Sequence, residues 1–297
     1  MRRLIVSASV LALIGGGVFW FVTAPKTLAP EVTAGLTGDA EAGEAVFWAA
    51  GCASCHMAEG AEGEAELVLA GGQRFPSPFG IFLAPNISPD PVNGIGAWPV
   101  AAFANAVMRG VSPEGEHYYP AFPYNAYNKM DVQDVVDLKA FMDGLPASSA
   151  PSQPHEVGFP FNIRRSLGGW KFLFESDDWV IDGDLTEAET RGRYLSEALA
   201  HCGECHTPRN VLGGMERGKW LAGGPDPSGK GSIPNITPAA LDWDEVDIKA
   251  YLTSGFTPEY DSVGGHMVHV VENMARLPES DRAAVAAYLK RVPSVSN

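Results

Sequence analysis

From Leu4 to Val22 the chain runs without a charge and almost entirely in apolar residues, about the length that crosses a bilayer as one helix. Beyond it the pattern changes to short amphipathic stretches separated by Gly- and Pro-rich segments. Val135, Leu138 and Met142 recur at helical spacing and predict a helix over 131–143, and a similar stretch covers 279–290. Helices are also expected over 99–109 and 243–254, each followed by a glycine, Gly110 or Gly255, where a left-handed C-terminal cap belongs. Two more begin after Asp39 and after Thr186, where Thr186 and Glu189 have capping-box spacing. The expected fold is mostly α.

The apolar run ends in Trp20 and Phe21, aromatic residues of the kind that sit at a membrane surface, and Arg2 and Arg3 precede it. By the positive-inside rule this orientation leaves the N-terminus in the cytoplasm and everything after Pro25 outside it. The rival reading is a cleaved signal peptide with Val22-Thr23-Ala24 before the cut. Pro25 directly after that site and the length of the apolar run favour a retained anchor. The expected location is a bacterial inner membrane, with a single span and the rest of the chain in the periplasm.

The remainder repeats with a period near 150. Cys52, Cys55 and His56 recur as Cys202, Cys205 and His206, and Pro85-Asn86-Ile87-Ser88-Pro89 recurs as Pro234-Asn235-Ile236-Thr237-Pro238. Trp98 matches Trp243, and Gly110-Val111-Ser112-Pro113-Glu114 matches Gly255-Phe256-Thr257-Pro258-Glu259. Two copies of one unit account for this. The division expected is an anchor over 1–24, a first domain over 36–147, an interdomain segment over 148–182 and a second domain over 183–297. The stretch from Gly144 to Pro160 is rich in Pro and Ser, as a connection would be, whereas Phe161 to Trp179 is apolar enough to pack across the boundary.

Composition narrows the chemistry. The 297 residues are 45% hydrophobic, with 33 Gly and 23 Pro, which suits a globular, loop-rich protein. A net charge of −15 excludes a nucleic-acid partner, whose phosphates need a basic footprint. The four cysteines fall as Cys52-Ala53-Ser54-Cys55-His56 and Cys202-Gly203-Glu204-Cys205-His206, and none is left over. Two disulfides, a redox dithiol or a zinc site are the plainer readings of four cysteines. The histidine directly after each pair decides against them. Two thiols three positions apart can add to the two vinyl groups of a porphyrin, and the next residue then offers its imidazole to iron. Two covalently bound haem c groups are expected.

The sixth iron ligand then separates electron transfer from chemistry at an open iron. In the second copy Met267, in the loop Gly264-Gly265-His266-Met267 before the last helix, is the expected ligand, with Met274, His266 and His269 as competitors. In the first copy the aligned position is Phe122, which cannot bind iron. Met130, just before the last helix of that copy, ranks first, ahead of His117 and Met108. Arg164, Arg165 and Trp98 are candidate donors to haem propionates.

Gly94-Ile95-Gly96-Ala97-Trp98, Tyr118-Tyr119-Pro120-Ala121-Phe122-Pro123-Tyr124 and Phe159-Pro160-Phe161-Asn162-Ile163-Arg164-Arg165 resemble the membrane-bound cytochrome c subunits of periplasmic alcohol and gluconate dehydrogenases. The resemblance implies tandem class I cytochrome c domains. It implies a periplasmic dehydrogenase as electron donor and a cytochrome, oxidase or quinone as acceptor. Two departures stand out: the best-known relatives carry a third CxxCH, and many have Met at the place of Phe122. The competing class is a dihaem peroxidase-like enzyme with one open haem. A sensor ranks last.

Overall fold

The computed structural model describes residues 2–229 and 231–296, so Met1 of the expected anchor and Lys230 and Asn297 of the expected second domain lie outside the described residues. Helix α1 (Arg2–Val22) is long and apolar enough to cross a membrane, and its apolar side chains are largely exposed. The rest is mostly helical. The first half holds α2 (Ala40–Ala49), α3 (Cys52–His56), a hairpin of β1 (Arg74–Ser77) and β2 (Gly80–Leu83), α4 (Val100–Arg109), α5 (Tyr124–Tyr127) and α6 (Val132–Asp143). Then come α7 (Leu167–Phe174) and the second half: α8 (Glu187–Arg193), a π-helical turn over Tyr194–Leu199, and α9 (Cys202–His206). A short hairpin of β3 (Gly224–Pro225) and β4 (Ser232–Ile233) precedes α10 (Glu245–Ser254), α11 (Met267–Arg276) and α12 (Glu279–Arg291).

The local signals act as the sequence suggests. Asp39 caps α2 by accepting from the Glu41 and Ala42 amides, and Thr186 and Glu189 form the reciprocal capping box that starts α8. Gly110 and Gly255 end α4 and α10 with φ of 54° and 75°. Met267 departs from expectation. It is the first residue of a ten-residue helix, α11, and not part of a loop. The first half has only the single turn α5 at that place, with Pro123 at its N-terminal cap.

In each half the helix before the CxxCH crosses the last helix, α2 on α6 and α8 on α12. The crossing is close because each supplies a glycine. A Cβ on Gly43 would lie 2.0 Å from the Asp137 carbonyl oxygen, and one on Gly192 would lie 1.9 Å from that of Ala284. Buried residues from both halves, among them Phe47, Leu138, Leu195, Leu252 and Tyr288, belong to one continuous core. The segment after α6 is tied down: Asn86 donates to the Ser148 and Ala150 carbonyls at 2.7 and 2.8 Å, and Glu156 pairs with Ile81. The region from 161 to 179 does reach both halves. Lys171 donates to the Gly110 carbonyl at 3.0 Å, while Trp170 donates to that of Leu212 at 3.0 Å.

Candidate haem sites

Each CxxCH forms one short helix, α3 or α9, which sets its two cysteines three positions apart on the same side of a turn. The residue before each is in the left-handed region: Gly51 at φ 66° and His201 at φ 40°. That reversal lets a long helix deliver its chain into the short one. A glycine does this freely, whereas His201 bears the strain a β-carbon causes there.

The two histidines are held identically. His56 Nδ1 lies 2.8 Å from the Pro85 carbonyl oxygen, and His206 Nδ1 lies 2.8 Å from that of Pro234. A carbonyl can only accept, so Nδ1 carries the proton and Nε2 keeps its lone pair. Burial lowers the pKa of both imidazoles, which keeps them neutral and able to ligate. The loop presenting each carbonyl is built the same way twice. The Gly71 amide donates to the His56 carbonyl and the Gly223 amide to that of His206, both at 2.7 Å. Asn86 and Asn235 accept from the Ser88 and Thr237 amides at 2.8 and 2.9 Å. The repeated Pro-Asn-Ile motif is therefore a histidine-orienting loop.

None of the four cysteines is in a disulfide. Burial pushes the Cys52 thiol up to about 12 and the Cys202 thiol up to about 11. Among the described residues, no group of three or more His, Cys, Asp and Glu is placed to hold a metal ion. Paired neutral thiols, an imidazole presenting Nε2 and an apolar surround suit a covalently attached porphyrin.

Met130 is buried in the core, 4% exposed, and Met267 is half-buried against it. Phe122 also packs on that core. His117 is committed elsewhere: its Nε2 lies 3.0 Å from the Thr23 carbonyl oxygen, at the root of α1. The two arginines expected near propionates are also engaged. Arg164 donates to the His117 carbonyl at 2.9 Å and stacks 4.3 Å over Tyr119, and Arg165 donates to Thr23 and stacks 4.1 Å over Trp20. Trp98 packs at the edge of the core. The two motifs lie near one another, since Asn273 of α11 donates to Ser54 at 2.9 Å and Tyr127 donates to the Ala50 carbonyl at 2.7 Å and packs edge-on against His201.

Residues 40–146 match the cytochrome c family model. The chain is 57% identical over 295 residues to a dihaem c-type cytochrome of Cereibacter sphaeroides, covering 99% of this chain and all of that one. The chain belongs to the dihaem c-type cytochromes. It is also 38% identical over 253 residues to the fructose dehydrogenase cytochrome subunit of Gluconobacter japonicus, covering 83% of this chain and 51% of the relative. The cytochrome c subunit of a quinone-dependent alcohol dehydrogenase of Gluconacetobacter polyoxogenes is 34% identical over 258 residues, covering 82% and 54%. The chain thus spans about half the length of those dehydrogenase subunits. As a dihaem cytochrome it carries two covalent haem c groups and is an electron-transfer protein, not a catalyst in its own right. The named relatives do not favour the peroxidase reading.

Sequence reasoning missed Gly43 and Gly192, whose signal is a glycine nine or ten residues before each motif. It also missed the π-turn and helix α11.

Proposed function

We propose that this cytochrome is a membrane-anchored carrier that takes electrons from a periplasmic dehydrogenase and passes them to an acceptor in the respiratory chain. Helix α1 is its retained anchor, in the inner membrane, with residues 36–147 and 183–297 as tandem haem domains on the periplasmic side and 148–182 between them. In this reading Cys52 and Cys55 attach one haem and Cys202 and Cys205 the other, with His56 and His206 as the iron-binding imidazoles. Met267 and Met130 would supply the methionine ligands to the two irons.

The duplicated 2.8 Å bond from histidine Nδ1 to a proline carbonyl carries the reading, because it presets both imidazoles for iron. Haem supplies a one-electron couple; the chain supplies orientation, burial and proximity. A methionine and a histidine together would hold the iron at a higher potential than two histidines would, and the commitment of His117 to Thr23 supports Met130 for the first iron. The cytochrome subunits named among the relatives serve sugar and alcohol dehydrogenases, which supports a dehydrogenase donor.

Carbon monoxide tests the ligand assignment. The reduced protein in detergent should not bind it, and Met267→Ala should open one haem to it while the other stays closed. An unchanged spectrum in that variant would move the assignment to Met274 or a histidine of α11.

A further inference from the structure

Helix α7 is built inside out. Its Lys171 is buried, donating to the last carbonyls of α4 at Arg109 and Gly110 and lying 4.3 Å over the Tyr124 ring. On the outward side Phe172 is 69% exposed and Leu173 is 62% exposed. A surface helix in water shows the opposite arrangement. The outward apolar surface continues beyond α7. Phe159, Phe161 and Ile163 are exposed on the approach to it, and Leu212, also exposed, is joined to it through the bond from Trp170.

This surface starts where α1 ends. Gly168 of α7 packs against Thr23 so closely that a Cβ would lie 2.4 Å from the Thr23 carbonyl oxygen. Arg165 holds the same point, donating to the Thr23 hydroxyl at 2.9 Å and to the Trp20 carbonyl at 2.5 Å. The apolar side chains of α7 are thereby fixed beside the aromatic end of α1, at the level where a bilayer meets water.

We propose that α7 and the 159–163 approach form a shelf that lies in the outer interface of the same bilayer α1 crosses. This rests on the reading of α1 as a retained span. Continuity with α1 selects lipid as the occupant, since any partner protein there would share the surface with the lipid around α1. With a net charge of −15 the contact is hydrophobic and needs no anionic lipid. Its consequence is a fixed pose: a shelf beside the span stops the haem units from swivelling on a single stalk.

The test is a nitroxide at Leu173→Cys in the full-length reduced protein, inserted in phosphatidylcholine vesicles, with Ser9→Cys of α1 as internal control. Collisions with oxygen, which partitions into lipid, are compared with collisions with a water-soluble nickel chelate. Nickel collisions should be largely lost at both sites relative to free nitroxide in the same buffer, with oxygen collisions retained. Loss at Ser9 with full nickel access at Leu173 would overturn the shelf while leaving the anchor intact. Full access at both would overturn the anchor reading and the shelf with it.

Discussion

The two halves solve one crossing in two ways. In the first, Phe47 of α2 meets Phe141 of α6 with ring centroids 5.2 Å apart. In the second, the corresponding pair is Glu197 and Tyr288, and the Tyr288 hydroxyl donates to the Glu197 carboxyl at 2.7 Å. Glu197 is only 2% exposed and also accepts from the Val180 and Ile181 amides at 2.6 and 3.0 Å, while Trp220 donates to Tyr288 at 2.9 Å. The backbone differs accordingly. Gly43 precedes its Cys52 by nine residues, but Gly192 precedes Cys202 by ten. The extra residue is absorbed in the π-turn: Ala50 donates to Val46 four residues back at 2.8 Å, whereas Ala200 donates to Leu195 five back at 2.7 Å. In the first half the polar group at the crossing, Asp137, is satisfied from within that half, by the Asp39 amide at 2.8 Å and the Gln133 side chain at 2.7 Å. The acid in the second lets that half grip the stretch before α8 at Val180 and Ile181, and a bulge keeps both the glycine and the cysteines in place while it does so.

The comparison breaks most sharply at Glu197. Glu197→Leu leaves three buried donors without an acceptor and should cost about 3 kcal/mol or more, while Phe47→Leu should cost about 1 kcal/mol. Denaturant midpoints of the haem-loaded protein would measure both. Equal costs would remove the contrast between the two crossings.

Next come the glycines. Gly43→Ala and Gly192→Ala should each destabilise by about 3 kcal/mol, because the added carbon meets backbone that cannot yield cheaply. The two effects should be similar, since the close approach is shared even though the neighbouring chemistry is not. A large effect in one half alone, in the same denaturation series, would mean that the crossings are not equivalent.

Much of this was legible beforehand. The apolar N-terminal helix, the helix caps at Asp39, Thr186, Gly110 and Gly255, and the two CxxCH turns follow from local rules that need only a few adjacent residues. The π-turn was not legible, because a one-residue offset in a repeat shows only when both ends of the crossing are fixed in space. Helix α11 was hidden by the glycines at 264 and 265, which read as an open loop. Arg164 and Arg165 read as propionate donors because arginine pairs well with carboxylates. Their actual partners, the Thr23 and His117 region, are distant in sequence and invisible to spacing.

The smallest expected difference lies in the loops after α4 and α10. His117 bridges to Val111 in the first half, where Ser262 bridges to Phe256 in the second. Burial holds the pKa of His117 below its usual 6.5, against the Thr23 carbonyl bond, and the Lys171 and Arg165 charges add to the lowering. The neutral form is thus the folded form. Its stabilising contribution is complete above pH 6.5 and is lost as the pH falls through the lowered value. Amide protection over 111–118, taken relative to the intrinsic exchange rate at each pH, should fall on acidification while that over 256–263 does not, and an equal fall in both would assign the effect to something other than His117.

The most direct test of the central claim, that each half carries its own haem on its own CxxCH, is the haem count of the paired variants. Pyridine haemochrome assay and intact mass should show two haems in the natural chain and one after either Cys52→Ala/Cys55→Ala or Cys202→Ala/Cys205→Ala. Two covalent haems remaining in either variant would contradict the account.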